Sequence, residues 1–168
     1  MFVFRTKIFQ LNTKSHLLRF MFLKISVKKF NELTIDELHD LLQLRSEVFV
    51  VEQDCVYQDI DGKDRKALHI IGKKDGNIIA YTRCFAPQNN FKEAIIGRVV
   101  VALKDRKLKL GHDIMIASIN AINRIYKTKS IKISAQTYLK KFYEYYGFKS
   151  IGEGYLEDGI PHITMLKE

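Results

Sequence analysis

The sequence predicts a single α/β domain built on a mixed sheet. Three observations carry that expectation. Strand-like apolar runs recur along the chain, and they alternate with two stretches whose apolar residues repeat at helical spacing. Asp75-Gly76 stands as a two-residue hairpin signal between two such runs. At 168 residues the chain suits one domain with room for a real core, and 46% hydrophobic with 28% charged residues is a soluble, globular balance.

The elements follow in order. Residues 1–20 carry four bases and no acids and read as an N-terminal extension or a mis-assigned start, with Met21 opening a 21–168 domain. "FLKISVKKF" is a strand near 22–30. Thr34 and Glu37 then have capping-box spacing, and Leu38, Leu41, Leu42, Val48 and Phe49 continue as a helical stripe. Arg45 falls inside that stripe, where it either snorkels to water or pairs with an acid in the interior. Residues 54–66 are a polar loop. "ALHIIGKK" and "NIIAYTRCF" form the hairpin, and "EAIIGRVVV" at 93–101 reads as a strand whose β-branched end is buried on both faces. A basic loop follows, then a helix with Ile114, Ser118, Ile122 and Ile125 on one face. "SIKISAQ", the helix "YLKKFYEYY" stopped by Gly147, "FKSIG", the turn "EDGIP" and "HITMLK" complete the chain. The order βα-βββ-α-β-α-ββ implies a mixed sheet without repeats or linkers.

The net charge of +9 is uneven: residues 21–100 balance twelve bases with twelve acids, whereas 101–150 hold eleven bases and three acids. That excess surrounds "DRKLKLGHDI" at 105–114 and calls for an anionic partner. A strand, a short basic loop and a helix make a phosphate-binding arrangement, because helix N-terminal amides are unpaired and the macrodipole favours an anion there. Gly111 permits close backbone approach, and Arg106, Lys107 and Lys109 add charge. No Walker Gly-Lys-Ser/Thr and no NAD-type triple glycine is present. No apolar run approaches the roughly 20 residues of a membrane span. Cys55 and Cys84 make neither a disulfide framework nor a metal spacing, which fits a reducing cytoplasm. Asp59-x-Asp61 hints at calcium, but Gly62 is misplaced for an EF-hand, and no metal is expected.

"RKLKLG" resembles the Arg/Gln-x-x-Gly-x-Gly/Ala loop of the GNAT acetyltransferases, and "YEYYGF" at 143–148 resembles that superfamily's Tyr-x-x-x-Gly-Phe signature. "LLQLRSEVFVVEQDCVYQDIDGKD", "HIIG", "GRVVV", "AQ" and "EDGIPHITM" together resemble the ElaA type of GNAT protein, over residues 22–168. One departure is Lys109, which stands where many relatives place the first loop glycine.

The resemblance implies a GNAT fold, with a twisted, mostly antiparallel sheet of about seven strands flanked by helices. It also implies acetyl transfer from acetyl-CoA to an amine by direct attack. It places the cosubstrate on Val99, Val100 and Val101, with Gln136 on the splayed neighbour strand. The diphosphate would rest on Arg106, Lys107, Lys109 and the amides of Leu110, Gly111 and His112. Tyr143 takes the general-acid position, or else packs in an aromatic helix. Glu52, His69 and His162 are the candidate bases, His69 reading equally as a hydrogen-bonded core histidine. Asp59 and Asp61 are solvated loop acids or border the acceptor site and attract a cationic amine, with Arg45 and Arg83 holding them. The acceptor stays open: a small amine, a polyamine, a peptide N-terminus or a lysine, served by a monomer or homodimer. Three rival readings are a CoA-binding scaffold without turnover, an acyl-homoserine-lactone synthase, against which the absence of Trp and the short chain count, and a basic nucleic-acid-binding module. Against the last, the aromatics of 101–150 cluster in one short helix and no recognition motif appears, so neither nucleic acid nor membrane is an expected partner.

Overall fold

The computed structural model describes residues 23–88 and 92–168, so the reading of residues 1–20 lies outside the described residues. Among the described residues eight strands form one sheet: β1 (Lys24–Lys29), β2 (Leu68–Lys74), β3 (Asn77–Phe85), β4 (Ala94–Val101), β5 (Ile131–Gln136), β6 (Lys149–Ser150), β7 (Tyr155–Glu157) and β8 (Ile160–Lys167). Their order is β1-β2-β3-β4-β5-β8-β6, with β7 on β8, and every pairing is antiparallel except β4 with β5. The helices are α1 (Ile35–Arg45), α2 (Leu110–Ile125) and α3 (Lys140–Glu144). This is the mixed GNAT architecture that the element order and the resemblance imply.

α1 starts as its sequence predicts. The Thr34 hydroxyl accepts from the Glu37 amide at 3.1 Å, and the Glu37 carboxylate accepts from the Thr34 amide at 3.1 Å. The helix then widens into a π-helical segment, Ser46–Glu52, that carries Val48, Phe49 and Glu52 to the middle of the sheet. Leu41, Leu44 and Val48 bury against Ile71, Tyr81 and Val100 on one sheet face. On the other face, Ile114, Met115 and Ile122 of α2 pack on Leu68, Ile70, Ala80, Cys84 and Ile96. Burial of each such aliphatic side chain contributes about 1.5–3 kcal/mol.

Two details depart from the sequence reading. β7 was not visible as a strand because its three residues are all exposed and carry no apolar alternation. β4 is not buried on both faces: Val99 and Val101 are only partly covered, since the strand borders an open cleft.

Candidate active site

The cleft arises where two parallel strands part. β4 and β5 pair only at Ala94 with Ile131 and Ile95 with Lys132, then diverge toward their C-terminal ends. β4 is also bulged. Between its pairings with Tyr81 and Arg83 it advances three residues, from Val100 to Gly97, while β3 advances two, and Arg98 takes a left-handed φ of 51°. The splay and the bulge open a cavity of about 890 Å3, bordered by β4 from Ile95 to Val101, by Ile133, Ser134 and Gln136 of β5, and by Tyr143 and His162.

One end is the basic turn. Residues Leu103–Leu108 wind as a 3-10 helix into α2, and Lys109 sits between the two in left-handed geometry, φ 57°. That conformation costs a non-glycine residue roughly 1–2 kcal/mol, which explains why a glycine suits the position. A Cβ on Gly111 would lie 3.6 Å from the Phe142 ring and 4.0 Å from Val101 Cγ2, at ordinary contact distance. Gly111 itself borders the cavity, so the backbone of α2's first turn comes up to its wall beside Phe142 and Val101. Arg106 is already engaged: Nε donates to the Val101 carbonyl at 3.2 Å, and Nη1 and Nη2 donate to the Glu52 carboxylate at 2.6 and 2.7 Å. Arg106, Lys109, Gly111 and His112 all line the cavity, whereas Leu110 is buried behind them and Lys107 is not on its wall. His112 bonds the Tyr146 hydroxyl through Nδ1 at 2.5 Å and packs against Phe142 and Tyr145.

The other end is built on buried charge. Arg45 is 0% exposed and donates to Asp59 Oδ2 at 2.8 Å, to the Asp59 carbonyl at 2.8 Å and to Asp64 Oδ1 at 2.7 Å. Arg83 donates to both oxygens of Asp61 at 2.7 Å and to Asp64 at 3.0 Å, and Arg98 donates to Asp59 at 2.6 Å. Burial works against ionised Asp61, but the Arg83 hydrogen bonds and the Lys63 amide outweigh it and hold the carboxyl well below the usual range. Losing one member of such a buried set strands a charge, at about 3–5 kcal/mol. The network pins loop 54–66 to the sheet. Arg45 is thus the paired interior arginine; Asp59 is buried, Asp61 is partly covered, and both are ion-paired to arginines.

His69 is fully buried off the cleft. The Asp64 carbonyl can only accept, so Nε2 donates to it at 3.0 Å, and Nδ1 accepts from the Tyr81 hydroxyl at 2.8 Å. Burial lowers its pKa, and both ring nitrogens are occupied. His162 differs. The Ile160 carbonyl takes its Nδ1–H at 2.8 Å, which leaves Nε2 as the acceptor of a neutral ring, and Tyr155 stacks on it at 6.2 Å between centroids. Tyr143 lies at the cavity wall, 5% exposed, and burial pushes its phenol well above 10, so it stays protonated. Sequence reasoning missed Arg98, Tyr57, Lys63 and Lys66 on the cavity wall. For Arg98 a signal existed: Gly97-Arg98 interrupts a β-branched run, as a bulge does.

A splayed parallel pair beside a basic helix start, with a phenol and an imidazole on the same cavity, is the arrangement that the resemblance implies for an acyltransferase drawing its acyl group from a coenzyme A thioester. The relatives place it further. The acetyltransferase (GNAT) domain family model matches residues 31–168. Escherichia coli ElaA is 41% identical over 140 residues, covering 82% of this chain and 92% of ElaA. The crystal structure of Escherichia coli ElaA superposes with a TM-score of 0.82 at 38% identity, covering 87% of this chain and 99% of that one. An acyl-CoA N-acyltransferase from Pseudomonas aeruginosa gives 0.81 at 41% identity, covering 86% and 99%. The chain belongs to the GNAT acetyltransferase family.

Proposed function

We propose that this chain is a cytoplasmic N-acetyltransferase that uses acetyl-CoA and delivers the acetyl group directly to an amine. The observation that carries the reading is the parting of β4 from β5 after two residue pairs, which turns the Ile96–Val101 edge toward the cleft. Unpaired strand backbone there suits an extended amide-containing arm, and the two buried free thiols, Cys55 and Cys84, suit a reducing compartment.

The donor supplies an acetyl group already activated as a thioester. Around it, the residues have separate tasks. The amides of Leu110 and Gly111 and the charge of Lys109 receive the diphosphate, with the α2 dipole adding about 0.3–1 kcal/mol. The His112 amide already donates to the Lys109 carbonyl at 3.0 Å, and Lys107, off the cavity wall, adds charge only from a distance. Arg106 contributes once it exchanges Glu52 for phosphate oxygens. The Val99–Val101 backbone and Gln136 hold the arm and orient the carbonyl. His162 Nε2 takes a proton from the acceptor ammonium, so that the free amine attacks the carbonyl carbon. As the new C–N bond forms and the C–S bond breaks, the Tyr143 hydroxyl gives its proton to the departing sulfur, while the second proton of the attacking nitrogen leaves to solvent, which reprotonates the Tyr143 phenolate. The products are an amide and the free thiol.

A thiol-release assay with acetyl-CoA and a panel of amines tests this. Tyr143→Phe should bind CoA normally and turn over about 10²-fold more slowly, the usual scale for a positioned acid. Turnover equal to wild type would remove Tyr143 from the reaction.

A further inference from the structure

The charges at the acceptor end of the cleft differ from what the loop sequence implies. Asp59, Asp61 and Asp64 all turn inward onto Arg45, Arg83 and Arg98, three carboxylates against three guanidiniums. None is left to draw in a cation. What loop 54–66 does present to the cavity is Lys63 and Lys66. Lys63 reaches Asp61 only at 3.9 Å with its side chain 70% exposed, and Lys66 makes no ion pair among the described residues.

The same cavity also carries the opposite charge. The turn joining β7 to β8 carries Glu157 and Asp158, both on the cavity. Glu157 accepts only from the neutral Ser134 hydroxyl, at 2.6 Å, and the Asp158 carboxylate makes no ion pair among the described residues. Cys55 donates to the Asp158 carbonyl at 3.4 Å, so loop and turn are held against each other. β7 pairs antiparallel with β8, Tyr155 opposite His162 and Glu157 opposite Ile160, so Glu157 and His162 stand on the same face of that strand pair. An ammonium received by Glu157 and Asp158 is thereby delivered beside the ring that can deprotonate it. The lysines then face whatever the rest of the acceptor carries.

From this polarity we infer that the acceptor is a zwitterionic amine, an amino-acid-like molecule whose ammonium meets the β7–β8 turn and whose carboxylate meets Lys63 and Lys66. A polyamine would set its second cation against those lysines. The inference rests on the acyl-transfer reading and specifies its substrate class.

Matched pairs that differ by one carboxylate test it: lysine against cadaverine, and phenylalanine against phenethylamine. kcat/KM should be at least tenfold higher for the carboxylate member of each pair. In a Lys63→Glu, Lys66→Glu double variant the preference should collapse or invert, while calorimetry shows acetyl-CoA affinity and a melting temperature like those of wild type. Both lysines are exposed, so the fold should tolerate the change. Equal or better use of cadaverine by wild type overturns the inference. So does an unchanged preference in the double variant, or no turnover of any amine by a chain that binds acetyl-CoA. A wild-type chain that binds no acetyl-CoA removes the acyl-transfer reading itself, and the inference with it.

Discussion

Glu37 acts twice at the start of α1. It closes the capping box with Thr34, and it accepts from Lys28 Nζ at 2.7 and 2.9 Å and from Lys73 Nζ at 3.1 Å, tying the helix to β1 and β2. Burial alone would raise its pKa, but the Lys28, Thr34 and Lys73 bonds win and hold it at about 2 instead of 4.5. A carboxylate depressed in the folded state stabilises fully above its unfolded pKa and loses that contribution as pH falls through the folded one. Because both lysines are partly exposed, Glu37→Gln should cost only about 1–2 kcal/mol at pH 7. Urea midpoints of variant and wild type should converge between pH 4.5 and 2; a gap that persists at pH 2 would refute the assignment. The cap was legible from Thr34 and Glu37 alone because it is local. Its lysine partners were not, since they lie on strands nine and thirty-six residues away. His69 was undecidable for the same reason, as only the fold brings Tyr81 and the Asp64 carbonyl to its ring.

At the scale of elements, the turn before α2 was legible as an anion site because its charge, its glycine and the following apolar periodicity are contiguous. Its internal commitments were hidden: Glu52, which clasps Arg106, comes from the far end of the α1 extension. Gly111 separates fold from ligand here. Its added Cβ meets only ordinary contacts at Phe142 and Val101, and alanine favours a helix interior by up to about 1 kcal/mol. Gly111→Ala should therefore melt at or slightly above the wild-type temperature while binding CoA at least tenfold more weakly by calorimetry. Undiminished affinity would mean that the ligand does not approach this turn. β7 has no signature because an exposed three-residue strand has no periodicity, and the β4 bulge shows in the sequence only as the Gly97-Arg98 interruption, since its register belongs to a strand pair.

Over the whole molecule, both faces of the sheet are packed with apolar side chains, α2 on one and α1 with its π-helical extension on the other, and on the second face Arg45 with its aspartates also locks loop 54–66 in place. The cleft lies where the sheet itself opens between them. Fold class was readable at this scale because element order and periodicity dictate it, whereas the cavity's polarity depends on which charges the interior consumes. The central claim is that the diphosphate and arm of CoA bind at the α2 start and along the parted edge of β4. Amide chemical-shift mapping during titration of unlabelled CoA into ¹⁵N-labelled protein tests it residue by residue. The account predicts the largest shifts at residues 99–101 and 109–112, saturating together. Shifts confined to loop 54–66 or to the outer edge of the sheet, with those amides unmoved, would contradict it.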